Sequence, residues 1–102
     1  MSSHYLYLKK QAEGAMRQAG FGIAGDQSGS RYCEAIDNDW SNRMPSDGFE
    51  IYPNEEDRTF AVSFISHFAC YDGWDSCDAV VGTFSTIPAM LEAVRIWAKN
   101  CL

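Results

Sequence analysis

The chain has 102 residues, 46% of them apolar, and a formal net charge of −6 at neutral pH. That is enough apolar side chain for one core without a metal or disulfide staple, and too much for a disordered chain. The excess of acid argues against nucleic acid or an anionic membrane as a direct ligand, because those affinities come largely from Lys and Arg neutralising phosphates. No apolar run approaches the roughly 20 residues a membrane span needs, and Met1 to Gln11 lacks an apolar stretch of signal-peptide length. The expectation is a single cytoplasmic domain over residues 1–102, with its four cysteines held as thiols.

In chain order, Ser2 or Ser3 can cap a helix running to about Ala19. Tyr5, Leu8, Ala12, Met16 and Ala19 fall on one stripe, and Gly20 stands in the stop position. Phe21 to Ala24 and Arg31 to Ile36 read as short strands of a first hairpin, separated by the turn-rich Gly25 to Ser30. Asp37 to Gly48 (DNDWSNRMPSDG) has no period and many turn formers, so it reads as a surface loop with Trp40 and Met44 embedded in it. Phe49 to Tyr52 is a strand, Pro53 to Arg58 an acidic hairpin turn, and Thr59 to Cys70 the longest strand. Alternation puts Phe60, Val62, Phe64, Ser66 and Phe68 on its core face, with Ala61, Ser63, Ile65, His67 and Ala69 opposite.

A second loop, Tyr71 to Asp78 (YDGWDSCD), leads into a strand from Ala79 to Phe84. Ser85 or Thr86 then opens a final helix with Pro88 in its first turn, where a missing N–H is tolerated. Ile87, Met90, Leu91, Val94, Trp97, Ala98 and Cys101 keep a helical stripe that must pack on the sheet. The expected fold is α+β: an antiparallel sheet of four or five strands with the N- and C-terminal helices packed on one face.

Charge is segregated along this chain. Residues 34–78 hold eleven of the fourteen carboxylates against only Arg43 and Arg58, while both flanks are slightly basic. The same stretch contains Trp40 and Trp74 in predicted loops, where folding alone gives little reason to place large apolar side chains. Aromatic anchors beside charges describe a protein-binding hot spot with an electrostatic rim.

Motifs that would name a reaction are missing. His67, Cys70 and Cys77 form H-x2-C-x6-C, to which Cys33 could add a fourth ligand, but the spacing is not that of a zinc knuckle. Strand parity sends His67 and Cys70 to opposite faces, which argues against a thiolate–imidazole pair. A calcium loop opening at Asp37 needs Gly at position 42 and Glu at position 48, where the chain has Asn42 and Gly48. No catalytic residue, metal or cofactor is therefore assigned.

In size, acidity and want of catalytic motifs, the chain resembles the small inhibitors that phages and mobile elements use against host nucleases, anti-CRISPR proteins among them. Bacterial immunity proteins against nuclease toxins share those traits. The resemblance is one of type, without an aligned motif, and it carries no site residue over. It implies a small non-enzymatic inhibitor or adaptor, a monomer or homodimer, that docks on a basic, nucleic-acid-binding surface of an effector or nuclease. The residues expected to meet that partner are Asp37, Asp39, Trp40, Glu55, Glu56, Asp57, Asp72, Trp74 and Asp75. The competing expectations are a zinc-binding or cysteine-dependent small enzyme, and a subunit that self-assembles through the Ala61, Ser63, Ile65 and His67 face.

Overall fold

The computed structural model describes residues 3–25, 31–32, 43–44, 46–70 and 73–102, with side chains described for 6–25, 46–70 and 73–102. Its fold is α+β. Helix α1 spans Ser3–Gln18, strands β1 and β2 are Arg31–Tyr32 and Arg43–Met44, β3 is Gly48–Asn54, β4 Thr59–Cys70, β5 Gly73–Phe84, and helix α2 spans Ile87–Cys101. The sheet is antiparallel with three strands in the order β3-β4-β5, and β1 pairs with β2 in a separate two-stranded ladder.

Helix α1 stops and helix α2 starts where the sequence says. After α1, Gly20 adopts φ +93°, a conformation that favours a residue without Cβ. Its amide donates to the Arg17 carbonyl (3.1 Å) and the Phe21 amide to the Met16 carbonyl (2.9 Å), the paired bonds of a Schellman stop. At the start of α2 the Thr86 hydroxyl accepts from the Ala89 amide (3.3 Å), with Pro88 in the first turn.

One cluster gathers Ala12 and Met16 of α1, Ile23, Phe49 and Ile51 of β3, Phe60 and Val62 of β4, and Met90 and Val94 of α2. Phe49 sits at its centre, 2% exposed, with the rings of Phe21, Phe64 and Trp97 edge-on at 5.8, 5.1 and 5.6 Å. The register explains which residues share that side: Phe49 lies opposite Phe64, Ile51 opposite Val62, and Pro53 opposite Phe60. Of the residues expected on the β4 core face and the α2 stripe, Phe60, Val62, Met90 and Val94 are buried, Phe64 and Trp97 are partly buried against the cluster, and Cys101 is exposed.

Three expectations change. Phe21 to Ala24 forms no hairpin strand; Ile23 makes one parallel bridge to Phe49, with the Ala24 amide bonded to the Phe49 carbonyl and the Phe49 amide to the Gly22 carbonyl, both at 2.9 Å. The stretch can lie against β3 because Gly48 has no side chain. A Cβ there would stand 2.6 Å from the Ala24 nitrogen. The partner of Arg31–Tyr32 is instead Arg43–Met44, inside the segment expected as loop; residues 33–42 lie outside the described residues.

The second change matters most for function. The expected loop Tyr71 to Asp78 is largely strand: β5 begins at Gly73, and the residues from Gly73 to Asp78 pair with β4 from Cys70 back to Ile65. The turn formers Asp, Gly and Ser masked a strand whose pairing is enforced by its neighbour. Third, the aromatic face of β4 ends at Phe64. Phe68, in the same alternation, is 46% exposed, because no helix residue of the core cluster reaches it. On β5 a bulge leaves Val81 as an extra residue between the pairs Val62–Gly82 and Ser63–Val80, which locally bends and twists the strand.

Candidate protein-binding surface

β3 pairs with β4 only as far as Gly48 opposite Ile65. Beyond it, five more pairs, from Ser66–Cys77 to Cys70–Gly73, join β4 to β5, the one strand paired with this part of β4 among the described residues, while β2 also lies near β4. This two-stranded arm extends roughly 16 Å past the sheet. An isolated ribbon of that kind is marginal in water, and here its base is tied down. The His67 amide donates to Asp47 Oδ1 (2.8 Å) and the His67 Nδ1 lies 3.3 Å from the same oxygen. The His67 side chain is 6% exposed and meets the Trp74 ring edge-on at 5.4 Å.

Every residue of β5 from Trp74 to Val80 is exposed. A paired strand normally hides alternate residues, so exposure on both faces marks a segment standing clear of the core. The arm presents apolar side chains on each side: Phe68 with Asp75 opposite it on one, and Trp74, 37% exposed, on the other. Val80, 73% exposed, continues the Trp74 side toward the sheet. From Thr59 to Phe84 the sequence holds no Lys or Arg, so the acids Asp75 and Asp78 lie in a stretch without a basic side chain of its own.

The side of the sheet that carries Trp74 is acidic further in. Tyr52 has its hydroxyl pKa pushed up to about 12, first by partial burial, then by a hydrogen bond and charge from Glu50, then by the charge of Asp78. Burial is the main cause of that shift, and the charges of Glu50 on β3 and Asp78 on β5 add to it in the same direction. Glu50, Asp78, Phe68 and Val80 were not among the residues expected to bind. Glu50 and Asp78 share a face through strand parity, a signal visible in the sequence only once β5 is known to reach back to Gly73.

The residues expected to bind divide into three groups. Asp37, Asp39, Trp40 and Asp72 lie outside the described residues. Trp74 and Asp75 are on the arm. Glu55, Glu56 and Asp57 form the β3–β4 turn, where Asn54 Oδ1 accepts from the amides of Glu56 (3.0 Å) and Asp57 (3.3 Å), and Arg58 takes the left-handed φ of 53° that closes it. The turn leads into β4 at Thr59 and the arm takes up its other end from Ser66, which puts the arm's base roughly 23 Å and Trp74, opposite Ala69, roughly 33 Å along the strand from the turn. The two acidic segments therefore do not merge into one patch.

Among the described residues no three His, Cys, Asp or Glu side chains gather closely enough to hold a metal ion, and Cys70, Cys77 and Cys101 are unbridged thiols; Cys33 lies outside the described residues. On the small-residue face of β4, Ser63 and Ile65 are 5% and 8% exposed, while Val80, opposite Ser63, is 73% exposed. A cleft of about 440 Å³ opens beside Ala19, Phe21, Pro88 and Leu91. Its charged pair is already spent internally: Arg95 donates to both oxygens of Glu92, at 2.6 and 3.3 Å, and holds that carboxyl below the usual carboxylate range.

No described helix is long and apolar enough to cross a membrane. Comparison with protein-family models, with curated proteins and with solved structures finds no match.

Proposed function

We propose that the protein is a non-enzymatic binding module that docks the β4–β5 arm on a basic surface of another protein, in the manner of a small inhibitor or adaptor. The observation that carries this reading is the exposure of β5 from Trp74 to Val80, a stretch that runs from the arm into the sheet and carries Trp74, Asp75 and Asp78 without a Lys or Arg, with Phe68 opposite Asp75. Exposed rings beside uncompensated charge supply both parts of a recognition site: Trp74 and Phe68 the desolvated anchors, Asp75 and Asp78 the steering field. A nucleic-acid-binding groove of a nuclease or similar effector is the kind of basic surface that such an arm would occupy. The acidic turn at Glu55, Glu56 and Asp57, a strand's length away, contributes long-range attraction rather than direct contact.

Capture of partners on the immobilised protein from the cells that make it tests this reading. The bound protein should carry a basic surface, elute as salt rises, and be lost from a folded Asp75→Lys/Asp78→Lys variant. Retention indifferent to salt, to that charge reversal and to Trp74→Ala would refute it.

A further inference from the structure

β5 is an edge strand: the sheet order is β3-β4-β5, and among the described residues no strand lies beyond it. Two hydrogen bonds say which of its residues face outward. The His67 amide points away from β5, to Asp47 Oδ1, so the opposed pair His67–Ser76 is one that exchanges no ladder bonds. Ser76 agrees, because its amide donates to the carboxylate of Asp75 at 2.7 Å instead of to β4. By the alternation of an antiparallel ladder, Trp74, Ser76, Asp78 and Val80 turn their backbone N–H and C=O groups to the free edge.

Native proteins guard long free edges, most often with Lys, Pro or a covering element. This edge carries no Lys, Arg or Pro from Thr59 to Phe84; its guards are Asp75 and Asp78. Pairing with a second copy through the Asp75–Asp78 stretch would bring four carboxylates to one seam without a counter-charge, which cross-strand pairing disfavours. A basic strand meets the opposite situation. A Lys or Arg drawn to Asp75 pulls its carboxylate off the Ser76 amide and frees that donor for a new backbone bond.

We propose that the free edge of β5 between Trp74 and Val80 takes up an extended, basic segment of the partner protein as a fourth strand of the sheet. The incoming strand's backbone pairs with Trp74, Ser76, Asp78 and Val80, and its alternate side chains meet the row of those four residues, in which Asp78 is the acid and Trp74 and Val80 the apolar ends. This mode of strand addition draws affinity from main-chain bonds and selectivity from alternate side chains. The inference rests on the basic-partner reading above and adds the element of the partner that is recognised.

The test uses the whole protein, isotope-labelled, and a synthetic heptapeptide of alternating lysine and valine, with a twin of the same side chains N-methylated throughout its backbone. Amide hydrogen exchange of β5 is read by NMR with and without each peptide. Strand addition predicts that the amides of Trp74, Ser76, Asp78 and Val80 slow while those between them change little. It also predicts that the methylated twin binds at least about tenfold more weakly, a difference of about 1.4 kcal/mol. Equal binding of the two peptides without the alternating protection overturns strand addition and leaves the basic-surface reading standing. Failure of both peptides to bind at low salt overturns both. Protection of the same four amides that grows with protein concentration alone, with no peptide present, overturns the choice of occupant in favour of a second copy.

Discussion

Replacing Phe49 by Ala removes the ring on which three others converge. Phe49 is 2% exposed and packs edge-on against Phe21, Phe64 and Trp97 at 5.1 to 5.8 Å, which ties the bridge after α1, the centre of β4 and the last turns of α2 to one side chain. Truncating a buried Phe costs about 3–5 kcal/mol through lost transfer energy and the cavity left behind. Up to three edge-to-face contacts, each worth about 0.5–1.5 kcal/mol beyond area, put this site at the upper end of that range. A domain of this size is stable by only about 5–15 kcal/mol, so the melting temperature should fall by roughly 15 °C or more. Phe68→Ala is the control. It removes the same ring from a strand face of the same alternation, but at a site 46% exposed, and should stay within about 0.5 kcal/mol of the parent. Urea unfolding followed by circular dichroism, with the slope unchanged between variants, measures both. Equal losses for Phe49→Ala and Phe68→Ala would refute the boundary between core and arm on which the binding surface depends.

Gly48→Ala should destabilise by about 1–3 kcal/mol, because its Cβ would stand 2.6 Å from the Ala24 nitrogen and 2.7 Å from the Ile23 carbonyl carbon; thermal melts check it. Tyr52 should ionise only near pH 12 in the folded protein, against about 10 when unfolded, so its contribution to stability is full below pH 10 and is lost as pH rises through 12. Ultraviolet titration of the parent against Tyr52→Phe isolates that phenol, and an ordinary tyrosine pKa would remove the evidence for burial and nearby acids acting on it. Reversing Glu55, Glu56 and Asp57 to Lys should slow association with a basic partner in low salt, with a difference that shrinks toward physiological ionic strength, where screening acts within about 8 Å. The dissociation rate should hold, since the turn lies a strand's length from the arm; a large rise in that rate on a biosensor would place the turn inside the contact.

Where one face of an element is buried against one partner, its residue pattern is legible, and the two helices show it. The α2 stripe of Met90 and Val94 is buried as its spacing demands, and the Thr86 cap and Gly20 stop are local chemistry that a short window contains. Strand ends are not local. Asp75, Ser76 and Asp78 are poor strand formers, and they become strand because β4 offers a ladder from Ile65 to Cys70, a condition no reading of residues 71–78 alone can supply. The described main sheet has three strands where four or five were expected, for the complementary reason. Phe21 to Ala24 has the apolar content of a strand, but its flanking glycines let it settle as a single bridge on β3.

The same asymmetry governs the candidate site. The sign of the charge in residues 34–78 was legible, because summing carboxylates needs no coordinates. Its placement was not, because adjacency in sequence does not say which end of a strand a turn will cap. Glu55 to Asp57 and Trp74 to Asp78 are less than two dozen positions apart in the chain, yet the turn precedes β4 at Thr59 while Asp78 lies opposite Ile65, midway along β4, and Trp74 opposite Ala69 near its far end. An acidic surface built from both would need a partner that spans the whole sheet. An arm that carries its own aromatics, its own acids and an open backbone edge needs only a partner with one basic strand to offer.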